Sequence, residues 1–304
     1  MDGFKFTDDQ RLALKLIGGA VKNLLLFGGS RSGKTLVLLF SIVLRAIKAP
    51  DSRHAVFRLH TNSVRHSVLL DTFPKLMKMC FPGIQYKGNM RDGFVKLRNG
   101  SEIWFCGLND KHRVDKILGC EFATLYFNEC SEISYPAVTT AMTRLAQKVK
   151  ILGTDELLPN KAYFDCNPPG KSHWSYKLFI QKAEPENNAS LLFPDYYDSM
   201  LMNPGSNRDN LAEGYIEATL AELPERQRQR FLEGNWLDDI PVPDHQRAGI
   251  PKGGNRGGSR RHRHTRFGRN RHRGRRARPQ RRIPYSQRRI IERHSPGMGQ
   301  GRRT

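Results

Sequence analysis

The run Asn23-Leu-Leu-Leu-Phe-Gly28-Gly-Ser-Arg-Ser-Gly33-Lys34-Thr35 carries the pattern G-x-x-x-x-G-K-[ST] directly behind a short apolar stretch. Residues of these types at this spacing bind polyphosphate. Gly28, Gly29 and Gly33, with Ser30, Arg31 and Ser32 between them, let successive backbone N–H groups turn inward around phosphate oxygens. Lys34 then reaches the β and γ phosphates, and the Thr35 hydroxyl ligates Mg2+. Arg31 either stabilises transition-state charge, a role worth about 10³- to 10⁵-fold in rate, or points to solvent.

Hydrolysis needs an acidic group on a second strand to hold Mg2+ through water and a base to orient the attacking water. Thr124-Leu-Tyr-Phe-Asn128-Glu129 is the apolar run that ends in a suitable pair. Glu129 is the expected base. Asn128 stands where a carboxylate is expected; its amide can accept from a metal-bound water but adds no charge. A third run, Ala162-Tyr-Phe-Asp165-Cys166-Asn167-Pro168-Pro169, ends in Asn167. That residue either senses the γ-phosphate and relays hydrolysis or belongs to an ordinary Asn-Pro-Pro turn. Gln10 precedes the first strand at a distance suited to reading adenine, and equally suits a surface position at a helix start.

The elements that must position these residues alternate. A strand precedes Gly28, and Leu36 to Leu44 reads as a buried helix whose N-terminal dipole faces the phosphates. His54–Leu59 reads as a strand and Thr61–Cys80 as an amphipathic helix stopped by Pro82 and Gly83. Phe94 to Cys106 forms two strands about Asn99-Gly100, a strong hairpin signal. Strands at Phe122–Phe127 and Lys161–Cys166 alternate with helices at Tyr135–Gln147 and Trp174–Lys182, and Asp209–Phe231 is helical with a break at Pro224. The expected fold is α/β, a phosphate-loop NTPase with a mainly parallel sheet flanked by helices.

Charge divides the 304 residues. Of 51 Lys and Arg and 29 Asp and Glu, residues 240–304 hold 20 and 2, so the net +22 splits into +18 there and +4 over residues 1–239. The expectation is a folded domain over 1–239 and a disordered Arg-rich tail over 240–304, unable to form a core and able to bind phosphate backbones without sequence preference. Five cysteines without a C-x-x-C pair read as reduced thiols. The start of the chain has no apolar signal core and no run is long enough to span a bilayer, so no membrane partner is expected.

With these motifs in order, the chain from Phe4 to Asp239 resembles the ATPase domain of tailed-phage terminase large subunits. The resemblance rests on Gly28 to Thr35, Leu125-Tyr-Phe-Asn-Glu-Cys-Ser-Glu-Ile133, Phe164-Asp-Cys-Asn-Pro-Pro169, Arg58 with Ser63-Val-Arg-His-Ser67, and Phe231-Leu-Glu-Gly-Asn-Trp236. It implies ATP as substrate with Mg2+, a homo-oligomeric ring acting on double-stranded DNA, a small terminase subunit and a portal protein as partners, and the cytoplasm of a bacterial host. It also implies an RNase H-like nuclease domain after Asp239. The tail instead holds 19 Arg and five His, a bias that a GC-rich gene gives when read out of frame. Shifted by one base, His294-Ser-Pro-Gly-Met298-Gly-Gln300 permits Thr-Pro-x-Glu-Trp-Ala-Lys, in which Met298 before a G-starting codon must become Trp, similar to the family's nuclease. The expectation is that a frameshift near residues 241–246 replaced that domain and its activity. Two rival readings stand beside the packaging motor: another translocase or helicase-type ATPase, and a non-enzymatic nucleotide-binding relic with a basic arm.

Overall fold

A computed structural model describes residues 5–109 and 119–239. The expectations for the tail, residues 240–304, lie outside the described residues.

Eight strands form one sheet: β1 (Asn23–Phe27), β2 (Arg53–Arg58), β3 (Tyr86–Asn89), β4 (Phe94–Leu97), β5 (Glu102–Gly107), β6 (Thr124–Phe127), β7 (Lys161–Cys166) and β8 (Tyr197–Leu201). Their spatial order is β3-β4-β5-β2-β6-β7-β1-β8. From β5 to β8 every pairing is parallel, and β3-β4-β5 is an antiparallel edge. The expected α/β class and mainly parallel sheet are therefore present. The hairpin turns as expected at Asn99-Gly100: Gly100 has φ 88°, and Leu97 N–H donates to the Ser101 carbonyl at 2.8 Å.

Alternation along each strand divides the core between the two faces. Leu24, Leu26, Val56, Tyr126 and Tyr163 face one side, against Val37, Leu38, Ile42 and Val43 of the helix α2 (Lys34–Lys48) and Ala13 and Ile17 of α1 (Asp8–Gly18). Leu25, Phe57, Phe127 and Phe164 face the other, against α5 (Tyr135–Met142) and α6 (Trp174–Phe179). Between β2 and β3 the chain is helical as expected from Thr61 to Cys80, as α3 (Thr61–Val64), a π-helical stretch (Arg65–Thr72) and α4 (Phe73–Cys80). Pro74 has no N–H to donate and its ring crowds the preceding turn, which accounts for the widened stretch before it.

Three expectations are corrected. The helix from Tyr135 stops at Met142, not Gln147, because Phe122 pairs with Arg144 and Gln147 through its N–H and carbonyl and pulls that segment straight. The helix from Trp174 stops at Phe179, and Lys182 turns left-handed with φ 56°. The segment 209–231 is a π-helical turn (Ile216–Leu220) and then α7 (Glu225–Phe231), separated at Pro224. Strands β3 and β8 are additions, both at sheet edges where polar residues are tolerated and the alternation signal is weak.

Buried polar groups lock α2 to the sheet. Arg45, near its C-terminus, donates to the Thr124 hydroxyl at 2.7 Å and to the carbonyls of Ala123 and Pro159. His54 is fully buried, its ring 2.9 Å from the Ser52 hydroxyl and 2.8 Å from that of Thr124. Burial, with Arg45 beside it, holds its pKa well below the usual histidine range.

Candidate functional site

The site lies at the C-terminal ends of the parallel strands, where open α/β sheets place their ligands. β1 runs into the loop Gly28–Gly33, and α2 begins at Lys34. Gly33 occupies the N-cap position with φ 87° and no side-chain cap. The first helical bond is from Val37 N–H to the Gly33 carbonyl, so the helix itself leaves the N–H groups of Lys34, Thr35 and Leu36 unspent. Such an end attracts phosphate.

Two distant segments brace the loop from behind. Gly29 N–H donates to Asn203 Oδ1 at 2.9 Å and Ser30 N–H to the Phe231 carbonyl at 2.7 Å, while Asn207 Nδ2 donates to the Arg31 carbonyl at 2.7 Å. Gly234 comes so close that a Cβ there would lie 2.6 Å from the Gly28 Cα. Trp236 packs on Phe27 with ring centres 5.4 Å apart. The sequence Phe231-Leu-Glu-Gly-Asn-Trp236 is thus a buttress for the loop.

Lys34 is 7% exposed; its ammonium donates to the carbonyls of Gly28 (3.2 Å) and Gly29 (2.6 Å), to Ser32 Oγ (3.0 Å) and to Asn167 Oδ1 (3.5 Å). Burial lowers its pKa, opposed by the charge of Asp165. Asn167 is therefore drawn into the loop from the end of β7, and its carbonyl accepts from Arg230 at 3.5 Å. Arg31 has left-handed backbone, φ 61°, and an exposed side chain.

At the end of β6, Asn128 is 3% exposed and Glu129 adopts the left-handed region, φ 52° and ψ 50°. A non-glycine residue there is strained, and the Asp165 carboxylate that accepts the Glu129 N–H at 2.9 Å holds it in place. Burial, and next the neighbouring Asp165 charge, raise the Glu129 pKa to about 7, against the pull of Arg58 and Lys34. Arg58 closes β2 and donates to Ser67 Oγ at 2.9 Å.

Gln10 is 2% exposed, so the surface alternative fails. Its Oε1 accepts from Thr7 N–H at 3.1 Å in a capping box, its Nε2 donates to Asn207 Oδ1 at 3.3 Å, and the same Nε2 lies against Gly33. To read a base, the amide would have to exchange those partners.

Strand, phosphate loop, helix and three converging strand ends invite comparison with known proteins. The profile described as "Terminase large subunit, T4likevirus-type, N-terminal" matches residues 25–253. The chain belongs to the terminase large subunit family. The large terminase of a thermophilic bacteriophage is 20% identical over 77% of this chain and 54% of its own, with a TM-score of 0.63; a structure of that terminase with ATP-gamma-S superposes at 0.59 with 19% identity, covering 77% of this chain and 53% of its own. The large terminase ATPase domain of Thermus phage P74-26 is 16% identical over 77% of this chain and 95% of its own, with a TM-score of 0.53. These likenesses establish a shared fold. The chain spans about half the length of the first of these terminases. No curated protein sequence matches it.

Against the terminase motifs, one residue of this chain stands out that the sequence reading passed over. Asp165, 2% exposed on β7, accepts from Thr35 Oγ1 (3.1 Å), Asn128 Nδ2 (3.0 Å) and Glu129 N–H (2.9 Å). A signal for it was present: a carboxylate two residues before Asn167, in a strand otherwise apolar enough to be buried, needs donors to satisfy it.

Proposed function

We propose that this chain is the ATP-hydrolysing motor of a phage DNA-packaging terminase, with residues 1–239 as its ATPase domain and residues 240–304 as a separate basic tail. The observation that carries the reading is the convergence of Lys34, Thr35, Glu129 and Asn167 from three strand ends onto one loop. The donor set suits Mg2+, a hard cation that keeps several waters and takes few protein oxygens alongside substrate phosphates. Thr35 would hold it directly and Asn128 through water; when bound, Mg2+ supplies charge neutralisation on the β and γ phosphates.

The chain's own residues perform the rest. The unspent N–H groups at the start of α2, those of Lys34 and Thr35, cradle the phosphates while Gly29 and Ser30 keep theirs on Asn203 and Phe231, and Lys34 moves its ammonium from loop carbonyls to the β and γ oxygens. Glu129, once ionised, accepts the proton of the attacking water. Arg31 is exposed at the rim, where it can stabilise charge on the transferring phosphoryl group. Asn167, hydrogen-bonded to Lys34, is placed to register loss of the γ-phosphate and pass it to Arg230. Adenine reading by Gln10 requires its amide to leave Thr7 and Asn207 for the edge of the base. ATP is favoured as substrate by the relative that binds ATP-gamma-S. The partners are double-stranded DNA, a portal protein, a small terminase subunit and further copies of this chain in a ring, in the cytoplasm of a bacterial host. Among the described residues, no helix is long and apolar enough to cross a membrane.

The test is stimulation of ATP hydrolysis by different partners. Packaging predicts a rate increase with portal-bearing proheads and double-stranded DNA; stimulation by single-stranded DNA alone would point to an unwinding translocase instead.

A further inference from the structure

The end of β6 offers Asn128 where a metal-side carboxylate is expected, yet the corner beside Thr35 is not without charge. β6 and β7 pair in register through Tyr126↔Tyr163 and Phe127↔Phe164. One step further, residue 128 stands beside residue 165, on the face that Tyr126 and Tyr163 share with α2. The structure places the Asp165 carboxylate there, with Asn128 Nδ2 at 3.0 Å from Oδ1 and 3.3 Å from Oδ2.

Thr35 gives the second observation. A hydroxyl has one proton and two lone pairs. Thr35 donates its proton to Asp165 Oδ2 at 3.1 Å and also meets the Tyr126 hydroxyl, which leaves a lone pair of its oxygen for another partner. Its contact with Asn128 Nδ2 is the longest in the group, at 3.5 Å. On Asp165, Oδ1 takes two donors, Glu129 N–H and Asn128, while Oδ2 takes Thr35 and the more distant approach of Asn128. The Asn128 amide has two protons, which its shorter contacts to Asp165 Oδ1 at 3.0 Å and the Tyr126 hydroxyl at 3.1 Å use. Its approach to Oδ2 therefore spends no further proton, and Oδ2 keeps one of the carboxylate's about four acceptor positions for a metal-bound water.

We propose that Asp165 on β7 supplies the metal-side carboxylate that position 128 on β6 lacks, orienting the Thr35 hydroxyl and a Mg2+-bound water, while Asn128 acts as the amide that holds Asp165 in place. This rests on the nucleotide reading of the loop and names the residue that completes its metal side. The carboxylate and the amide have exchanged places across one strand pair. Asp165 also accepts the N–H of Glu129, so the same side chain fixes the metal side and the left-handed turn that presents the base.

The test is the affinity of the full chain for ATPγS by calorimetry, with and without Mg2+, supported by the electron paramagnetic resonance of Mn2+ in the nucleotide complex. In the unsubstituted chain Mg2+ is expected to tighten ATPγS binding. Asp165→Asn is expected to weaken the metal's affinity for the nucleotide complex by about 10- to 100-fold, the usual consequence of losing an outer partner of a metal site, read as the ratio of each protein's own ATPγS affinity with and without Mg2+. The exchange Asn128→Asp with Asp165→Asn keeps one amide and one carboxylate facing each other, and is expected to regain the metal dependence. A brace with no part in metal binding would change thermal stability and leave the Mg2+ increment untouched. Full metal dependence in folded Asp165→Asn overturns the proposal. Should that variant fail to fold, the exchange decides alone: native circular dichroism without the Mg2+ increment overturns it. Failure of the unsubstituted chain to bind ATPγS in Mg2+ would remove the nucleotide reading itself, a different result from normal binding that ignores Asp165.

Discussion

Replacing Glu129 by Gln keeps the length and shape of the side chain and removes its ability to take a proton from water. The structure sets both the size and the pH dependence of the effect. Burial and the Asp165 charge raise the Glu129 pKa to about 7, so the base is about half ionised at pH 7, about nine-tenths at pH 8 and about one-tenth at pH 6. A raised carboxylate pKa means that activity is lost as pH falls through 7 and is full above about 8. A positioned general base contributes about 10²- to 10⁴-fold, equivalent to about 3–5 kcal/mol of barrier. The assay is kcat/KM for ATP from pH 6 to 9 in both proteins, since that ratio reports groups of the free enzyme. Dividing one profile by the other cancels the titration of ATP. The ratio should rise about tenfold from pH 6 to pH 8 and level off at about 10² or more. A flat ratio, or a loss smaller than tenfold at pH 8, would refute the assignment of Glu129 as base.

Other consequences are open to measurement. Lys34→Ala removes charge-assisted bonds to phosphate worth about 1.5–3 kcal/mol, so ATPγS affinity in a titration should fall by about 10- to 100-fold. Gly234→Ala puts a Cβ 2.6 Å from the Gly28 Cα at a residue with φ 70°; the left-handed penalty alone is about 1–2 kcal/mol, so thermal unfolding should come about 2–8 °C earlier, with weakened nucleotide binding. His54 is held neutral in the fold and titrates near 6.5 when unfolded, so the unfolded chain binds the extra proton and stability falls with pH below 6.5, at up to about 1.4 kcal/mol per pH unit. Urea denaturation at pH 7 and pH 5.5 should show that fall, and His54→Gln should lessen it.

Much of this site was legible because its signals are local. The phosphate loop, the β1 strand before it and the α2 helix after it lie within one stretch of chain, and the Asn99-Gly100 turn carries its own left-handed glycine. Glu129 and Asn167 could be placed at strand ends from apolar runs alone. The partner of Asn128 could not, because the 128–165 contact depends on how β6 and β7 align, which neither strand specifies by itself. The bracing of Gly29 and Ser30 by Asn203 and Phe231 joins residues about 170 to 200 positions apart, although the motif ending in Trp236 had marked that segment. Gln10 is buried because its capping box and Asn207 satisfy its amide, a tertiary outcome that a helix-start pattern does not contain. Strands β3 and β8 escaped notice at the sheet edges, where Tyr86–Asn89 and Tyr197–Leu201 mix polar and apolar residues without clear alternation.

Hydrolysis of ATP by the purified chain, compared with Lys34→Ala and Glu129→Ala under the same Mg2+ concentration, bears most directly on the central claim. Mg2+-dependent phosphate release by the unsubstituted chain, falling to background in both variants, is the predicted result. Equal background rates in all three proteins would contradict it and leave a nucleotide-binding fold without a motor.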